Sequence, residues 1–166
     1  MLTEQEKREI EATFHEYPRK QHATLSALRV VQNHRGWISD EALADIAELL
    51  EISPDALDSV ATFYNLIFRR PVGQHIIRVC DSVSCWIMGY EQVRAYLAER
   101  LGIDFGGATP DGRFTMLPIQ CLGACDHAPA LMVDEELYRD LTRDKLDQIL
   151  EQYNNGTTPN QKHPAG

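Results

Sequence analysis

The chain has no surplus of positive charge. Its 166 residues carry 16 Lys and Arg against 25 Asp and Glu, a net charge of −9. Nucleic-acid phosphates are gripped by basic surfaces, so this balance disfavours a nucleic-acid partner. Long apolar runs are missing too. None approaches the roughly 18 residues of a membrane span, so no direct insertion into a membrane is expected. The opening MLTEQEKREIEATF has no apolar segment of a secretory signal and is acidic rather than Arg-rich, so neither a secretory signal nor a transit peptide is expected. There is no G-x-G-x-x-G, no P-loop and no marked acid–base pair, hence no nucleotide site or catalytic constellation of its own. No internal repeat is present. Cysteine is scarce, with four residues, and no two have the C-x-x-C spacing of a thioredoxin-type redox pair. In the reducing cytoplasm that these features imply, four cysteines point to metal or redox chemistry before disulfides.

What is present begins with helical patterning. Thr3 and Glu6 have the form of a capping box, opening a helix that runs to about Tyr17 before Pro18. A second helix is expected from about Ala23 to His34, with Leu25 and Leu28 on one face and Gly36 as its stop. Ser39 can cap a third helix, where Leu43, Ile46 and Leu50 recur at helical spacing. Ser53 and Pro54 form an N-cap and first-turn pair, and Leu57, Val60, Ala61 and Tyr64 make the stripe of a fourth helix. Such stripes predict a helical bundle core; a helix-turn-helix DNA reader would need a basic helix that is absent.

The pattern changes after Arg69, Arg70, Pro71 and Gly73. His75–Cys80 reads as a β-branched strand, followed by a helix from about Met88 to Leu101. GGATPDG, from Gly106 to Gly112, is a loop or turn. Phe114–Ile119 is a second strand, Ala130–Val133 a third, and Leu137 with Tyr138 a short fourth after a turn at Asp134 and Glu135. Thr142 caps a last helix to about Tyr153. The reading is therefore an α+β chain: a helical region at 1–72, a domain of helices packed on a small sheet at 73–153, and a tail at 154–166 whose polar composition predicts disorder.

Cys80, Cys85, Cys121 and Cys125 give C-x4-C and C-x3-C, each pair just after an expected strand. If the two strands are neighbours, both loops leave one end of the sheet and the thiols converge. Structural zinc usually draws on C-x2-C turns, whereas iron–sulfur sites tolerate wider spacings, C-x4-C among them. Four thiolates around two ferric ions and two sulfides carry a formal charge of about −2, which calls for backbone N–H groups close to sulfur. Ser82, Ser84, Gly123 and Ala124 are small enough to allow that approach. The spacing favours a 2Fe–2S cluster and leaves zinc and thiol redox chemistry open. His127, two residues past Cys125, reads as a loop histidine that at most tunes the site, and Asp126 as a local hydrogen-bonding group.

The segments CDSVSCWIMG, IQCLGACDHAPALMV and SVATFYNLIFRRPVG together resemble the family of the E subunit of bacterial NADH:quinone oxidoreductase, respiratory complex I. The likeness runs from about Glu11 to Tyr153. It implies a helical N-terminal region followed by a thioredoxin-like ferredoxin domain that carries one 2Fe–2S cluster, with Cys80, Cys85, Cys121 and Cys125 as ligands. It also implies an electron-transfer role beside a flavoprotein subunit that binds NADH and FMN, with a larger iron–sulfur subunit in the same complex. The whole would be cytoplasmic and peripheral to the inner membrane. Similar subunits serve NAD-dependent hydrogenases and formate dehydrogenases, and a zinc-stabilised adaptor without redox role is the reading from another class. Asp134 departs from the pattern, which expects Asn in the strand–turn–strand element. Trp37, Phe63, Tyr64 and Phe68 are assigned either to docking of the flavoprotein or to the helical core.

Overall fold

The structure is a computed structural model that describes residues 1–154, so the tail expected to be disordered lies outside the described residues, apart from Asn154. The chain divides into two compact units, Met1–Val72 and the part from Gly73 onward.

The first unit holds α1 (Glu4–Thr13), α2 (Thr24–Arg35), α3 (Asp40–Leu50) and α4 (Pro54–Phe63). Three of them start on side-chain caps that satisfy otherwise orphaned N–H groups. Thr3 and Glu6 form the complete capping box, Ser39 Oγ accepts from the Ala42 N–H at 3.2 Å, and Ser53 Oγ accepts from the Ala56 N–H at 3.2 Å. Ile10, Leu28, Ile38, Ile46, Leu50 and Leu57 are fully buried and make the core. Buried with them is Glu6, whose carboxylate accepts from Arg35 Nε and Nη2 at 2.6 and 2.7 Å. Arg69 gathers the end of the unit, donating to Asp58, Asp40 and the Ile38 carbonyl. Two details correct the sequence reading. The first helix ends at Thr13 and continues as a 3-10 turn over Phe14–Glu16, so it stops short of Pro18. Tyr64 lies beyond α4 in extended conformation and off the buried stripe.

The second unit is a four-stranded sheet in the order β2-β1-β3-β4: β1 (His75–Cys80), β2 (Phe114–Ile119), β3 (Leu131–Val133) and β4 (Glu136–Tyr138). β1 and β2 are parallel, with Cys80 opposite Ile119; a parallel pair needs a crossover, and helices supply it. The other two pairings are antiparallel. The helix expected from about Met88 to Leu101 is present, and a short helix that the sequence did not lead one to expect precedes it. The structure has α5 (Val83–Ile87) and then α6 (Tyr90–Leu101), separated by Gly89 at φ 118°. Most of α5 is exposed and carries no apolar stripe to read, which is why periodicity passed over it. Ser82 is therefore the residue before a helix and Ser84 lies within one, not in a loop. α7 (Arg143–Asn154) packs Leu146, Ile149, Leu150 and Tyr153 on the same core as Ile77, Val79, Phe114, Met116, Leu131 and Val133. At the entry to β1 only glycine fits: a Cβ on Gly73 would lie 2.5 Å from the Phe114 backbone.

Candidate metal centre

The parallel pairing decides where the thiols go. Cys80 is the last residue of β1 and Cys121 comes two residues after the end of β2, so both cysteine segments leave the same end of the sheet. The first pair is internal: Cys80 and Cys85 are buried. Cys121 and Cys125 are exposed, with their sulfurs 3.3 Å apart. Ser84 of α5 acts on the Cys125 thiol, drawing its pKa down. Among the described residues no three His, Cys, Asp or Glu side chains gather as the donor set of one metal ion. Thiols in two pairs match a centre of two irons, each taking two thiolates.

The backbone supplies what sulfur anions require. Gly123, at φ 76°, points its N–H at Cys121 Sγ over 3.3 Å and holds that thiol below its usual pKa. Cys125 is raised, first because its proton serves the hydrogen bond to Cys121. Burial, followed by the neighbouring Cys80, pushes the Cys85 thiol up to about 11, against the opposing pull of the Ala130 backbone N–H. A metal that binds here must displace that proton, so uptake is coupled to proton release.

Both ring nitrogens of His127 lie beside carboxylates. Its Nδ1 lies 3.1 Å from Asp140 Oδ2 and its Nε2 3.6 Å from Asp126. Asp134 takes up the turn between β3 and β4 at φ 52°, a conformation that Asn and Asp tolerate best after glycine. It also accepts from the Ile76 N–H at 2.9 Å and pairs with the buried His75 ring at 2.8 Å, so Asp134 ties the turn to the start of β1. Of the four singled-out aromatics, Phe63 and Tyr64 are exposed, at 80% and 43%, while Trp37 and Phe68 are half-buried.

Sequence reasoning missed the outer face of α5. Val83, Trp86, Ile87 and Met88 are all exposed, and Trp86, Ile87 and Met88 border a groove of about 510 Å³ closed by Pro129 and Leu141. The run V-S-C-W-I-M was a signal: four apolar residues around a cysteine, at no period that buries them.

A parallel strand pair delivering two thiol pairs, on a small sheet backed by helices, defines a thioredoxin-like iron–sulfur protein. The thioredoxin-like [2Fe-2S] ferredoxin family matches residues 10–154, and the chain belongs to that family. Its relatives include the E subunit of the NADH-quinone oxidoreductase of Pseudomonas aeruginosa, 48% identical over 153 residues and 92% of each chain. The protein of the same description from Escherichia coli K12 is 45% identical over 152 residues, again 92% of each chain. Among solved structures, an NAD+-reducing [NiFe]-hydrogenase in the air-oxidized state superposes with a TM-score of 0.71 over 84% of this chain, at 24% identity. The present chain spans 24% of that chain's length, and the likeness is one of fold alone.

Proposed function

We propose that the chain is the 2Fe–2S electron-transfer subunit of an NADH–quinone oxidoreductase, with Cys80, Cys85, Cys121 and Cys125 as the cluster ligands. The observation that carries the reading is that neighbouring parallel strands direct both cysteine segments to one end of the sheet. The residues fit the group: four sulfurs, no disulfide among them, and the backbone N–H of Gly123 directed at Cys121 Sγ. When bound, the cluster supplies a one-electron acceptor and donor. The chain's own residues hold and screen it. Cys80 and Cys85 anchor it against the core, where burial excludes water, and the Gly123 N–H offsets negative charge on Cys121. Relatives at 45–48% identity over nearly their whole length support the quinone-linked complex over a hydrogenase or formate dehydrogenase.

In this reading residues 73–153 carry the cluster, and residues 1–72 dock onto a flavoprotein subunit that binds NADH and FMN. The exposure of Phe63, Tyr64 and Leu66 on the first unit favours the docking assignment, since aromatic and large apolar residues anchor interfaces. The larger iron–sulfur subunit completes the environment. Among the described residues no helix is long and apolar enough to cross a membrane, and a peripheral position in a membrane-bound complex follows from the proposed assembly. Anaerobically purified chain should contain about two irons and two acid-labile sulfides, show a paramagnetic signal on one-electron reduction, and oxidise no NADH alone. Stoichiometric zinc without labile sulfide refutes the cofactor. Phe63→Glu with Leu66→Glu should keep the cluster and weaken binding to the flavoprotein subunit; unchanged affinity refutes the docking role.

A further inference from the structure

A 2Fe–2S centre takes up one electron. One ferric ion becomes ferrous, no bond breaks, and the formal charge of the group with its four thiolates goes from about −2 to about −3. The extra charge settles on the iron whose ligands lie in the more polar surroundings, because solvent exposure, hydrogen bonds to sulfur and nearby charge set the energy of the ferrous form. The two thiol pairs of this chain differ in all three respects. Cys80 and Cys85 are 3% and 2% exposed and belong to the hydrophobic core with Val93 and Leu131, whereas Cys121 and Cys125 are exposed. The N–H groups of Cys80 and Asp81 are spent on the Ala130 and Ile119 carbonyls, at 3.2 and 3.0 Å. The Gly123 N–H is directed at Cys121 Sγ instead. Asp81 follows Cys80, and its Oδ1 is shut off from solvent with no hydrogen-bond partner among the described residues. A carboxylate so placed is poorly screened and repels further negative charge nearby. Asp126 follows Cys125 in the same way, but its side chain is 78% exposed, and water screens it.

We propose that Cys121 and Cys125 hold the iron that becomes ferrous, and that Cys80 and Cys85 hold the iron that stays ferric. The inference deepens the functional reading and rests on its set of four thiolates. One feature of the fold acts the other way. α5 begins within the first cysteine segment and carries no side-chain cap, so its leading N–H groups favour negative charge there. A helix of five residues sums few peptide dipoles, and its pull is small beside the cost of taking a charge out of water into an apolar core. The exposed pair therefore wins. The electron resides at the open edge of the centre, between the Gly123 turn and solvent, and the buried pair is the fixed support that does not change oxidation state.

The test uses the full-length, cluster-loaded wild-type chain, reduced anaerobically with dithionite. Mössbauer spectra should show one ferrous and one ferric site in equal amounts. Proton NMR over a range of temperatures then says which cysteines hold which iron. In an antiferromagnetically coupled pair, the β-protons of the ferric ligands lie far downfield and move back as temperature rises. Those of the ferrous ligands are shifted less and move the opposite way. Overhauser contacts to Gly123 and Ala124 identify the signals of the second pair, and contacts to Asp81 and Trp86 those of the first. The opposite temperature dependence should belong to Cys121 and Cys125. Its appearance on Cys80 and Cys85, on one cysteine of each pair, or on none because the electron is shared equally, overturns the proposal and leaves the four-thiolate ligand set standing. A wild-type chain without iron and labile sulfide overturns the functional reading, and this inference with it.

Discussion

Replacing Glu6 by Gln removes one negative charge from the middle of the first unit and nearly nothing else. The Glu6 carboxylate is buried, accepts from the Thr3 N–H at 2.7 Å, and is clamped by Arg35 Nε and Nη2 at 2.6 and 2.7 Å. The hydrogen bond to Arg35, against the cost of burial, lowers its pKa from the usual 4.5 to about 2. Each unit of such a shift corresponds to about 1.4 kcal/mol of differential stabilisation, so the ionised form contributes about 3 kcal/mol to the fold. The sign follows from the direction. A group lowered on folding stabilises fully above its unfolded value of 4.5, and the contribution fades as pH falls toward about 2. Gln is close in shape to protonated Glu. The gap between wild type and Glu6→Gln should therefore be about 3 kcal/mol at pH 7 and should shrink toward zero as pH approaches 2. Trp37 and Trp86 are the two tryptophans; in a Trp86→Phe background Trp37 alone reports the first unit. Urea unfolding of the cluster-free chain, followed by Trp37 fluorescence from pH 7 to pH 2.5, measures the gap. A gap that stays constant with pH, or one below about 0.5 kcal/mol at neutrality, refutes the argument that the charge, and not the packing, holds α1 to α2.

Gly123→Ala meets no steric obstacle, since nothing lies within 4 Å of the added Cβ, but it forces a side chain onto φ 76° at a cost of about 1–2 kcal/mol. The cluster should form and then be lost to a chelator roughly 5–30 times faster; an unchanged rate of bleaching refutes this. Cys121→Ala or Cys125→Ala should strip the iron, whereas His127→Ala should leave two irons bound, because a second-layer group tunes the site without holding it; iron and sulfide analysis decides, and the reverse pattern overturns the ligand set. Asp134→Ala should destabilise by about 2–3 kcal/mol, losing an acceptor for the buried His75 and a residue suited to φ 52°, while Asp134→Asn should cost less than about 1 kcal/mol. Equal melting points for the two variants contradict that account.

The local chemistry of this chain determined a good deal by itself. Caps at Thr3, Ser39 and Ser53 act within three residues, so the starts of α1, α3 and α4 could be read directly. The strands at His75 and Phe114 were legible because β-branched runs and flanking glycines are local signals. Cysteine spacing and the surrounding small residues narrowed the chemistry to a metal or redox centre, and the resemblance carried by CDSVSCWIMG and IQCLGACDHAPALMV completed the reading. Tertiary structure decided the rest, where the cause of a feature lies far away in sequence. The thiols of Cys80 and Cys121 share one end of the sheet only because β1 and β2 pair in parallel across an intervening crossover. α5 escaped detection because its exposed residues obey no burial period. Glu6 looks like an ordinary capping residue until Arg35, 29 residues on, closes over it. Arg78 reads as an ordinary strand cation. Only the register that sets it between Leu117 and Met132 gives it apolar neighbours, because which face a strand residue occupies is local, but what lies beside it on that face belongs to other strands.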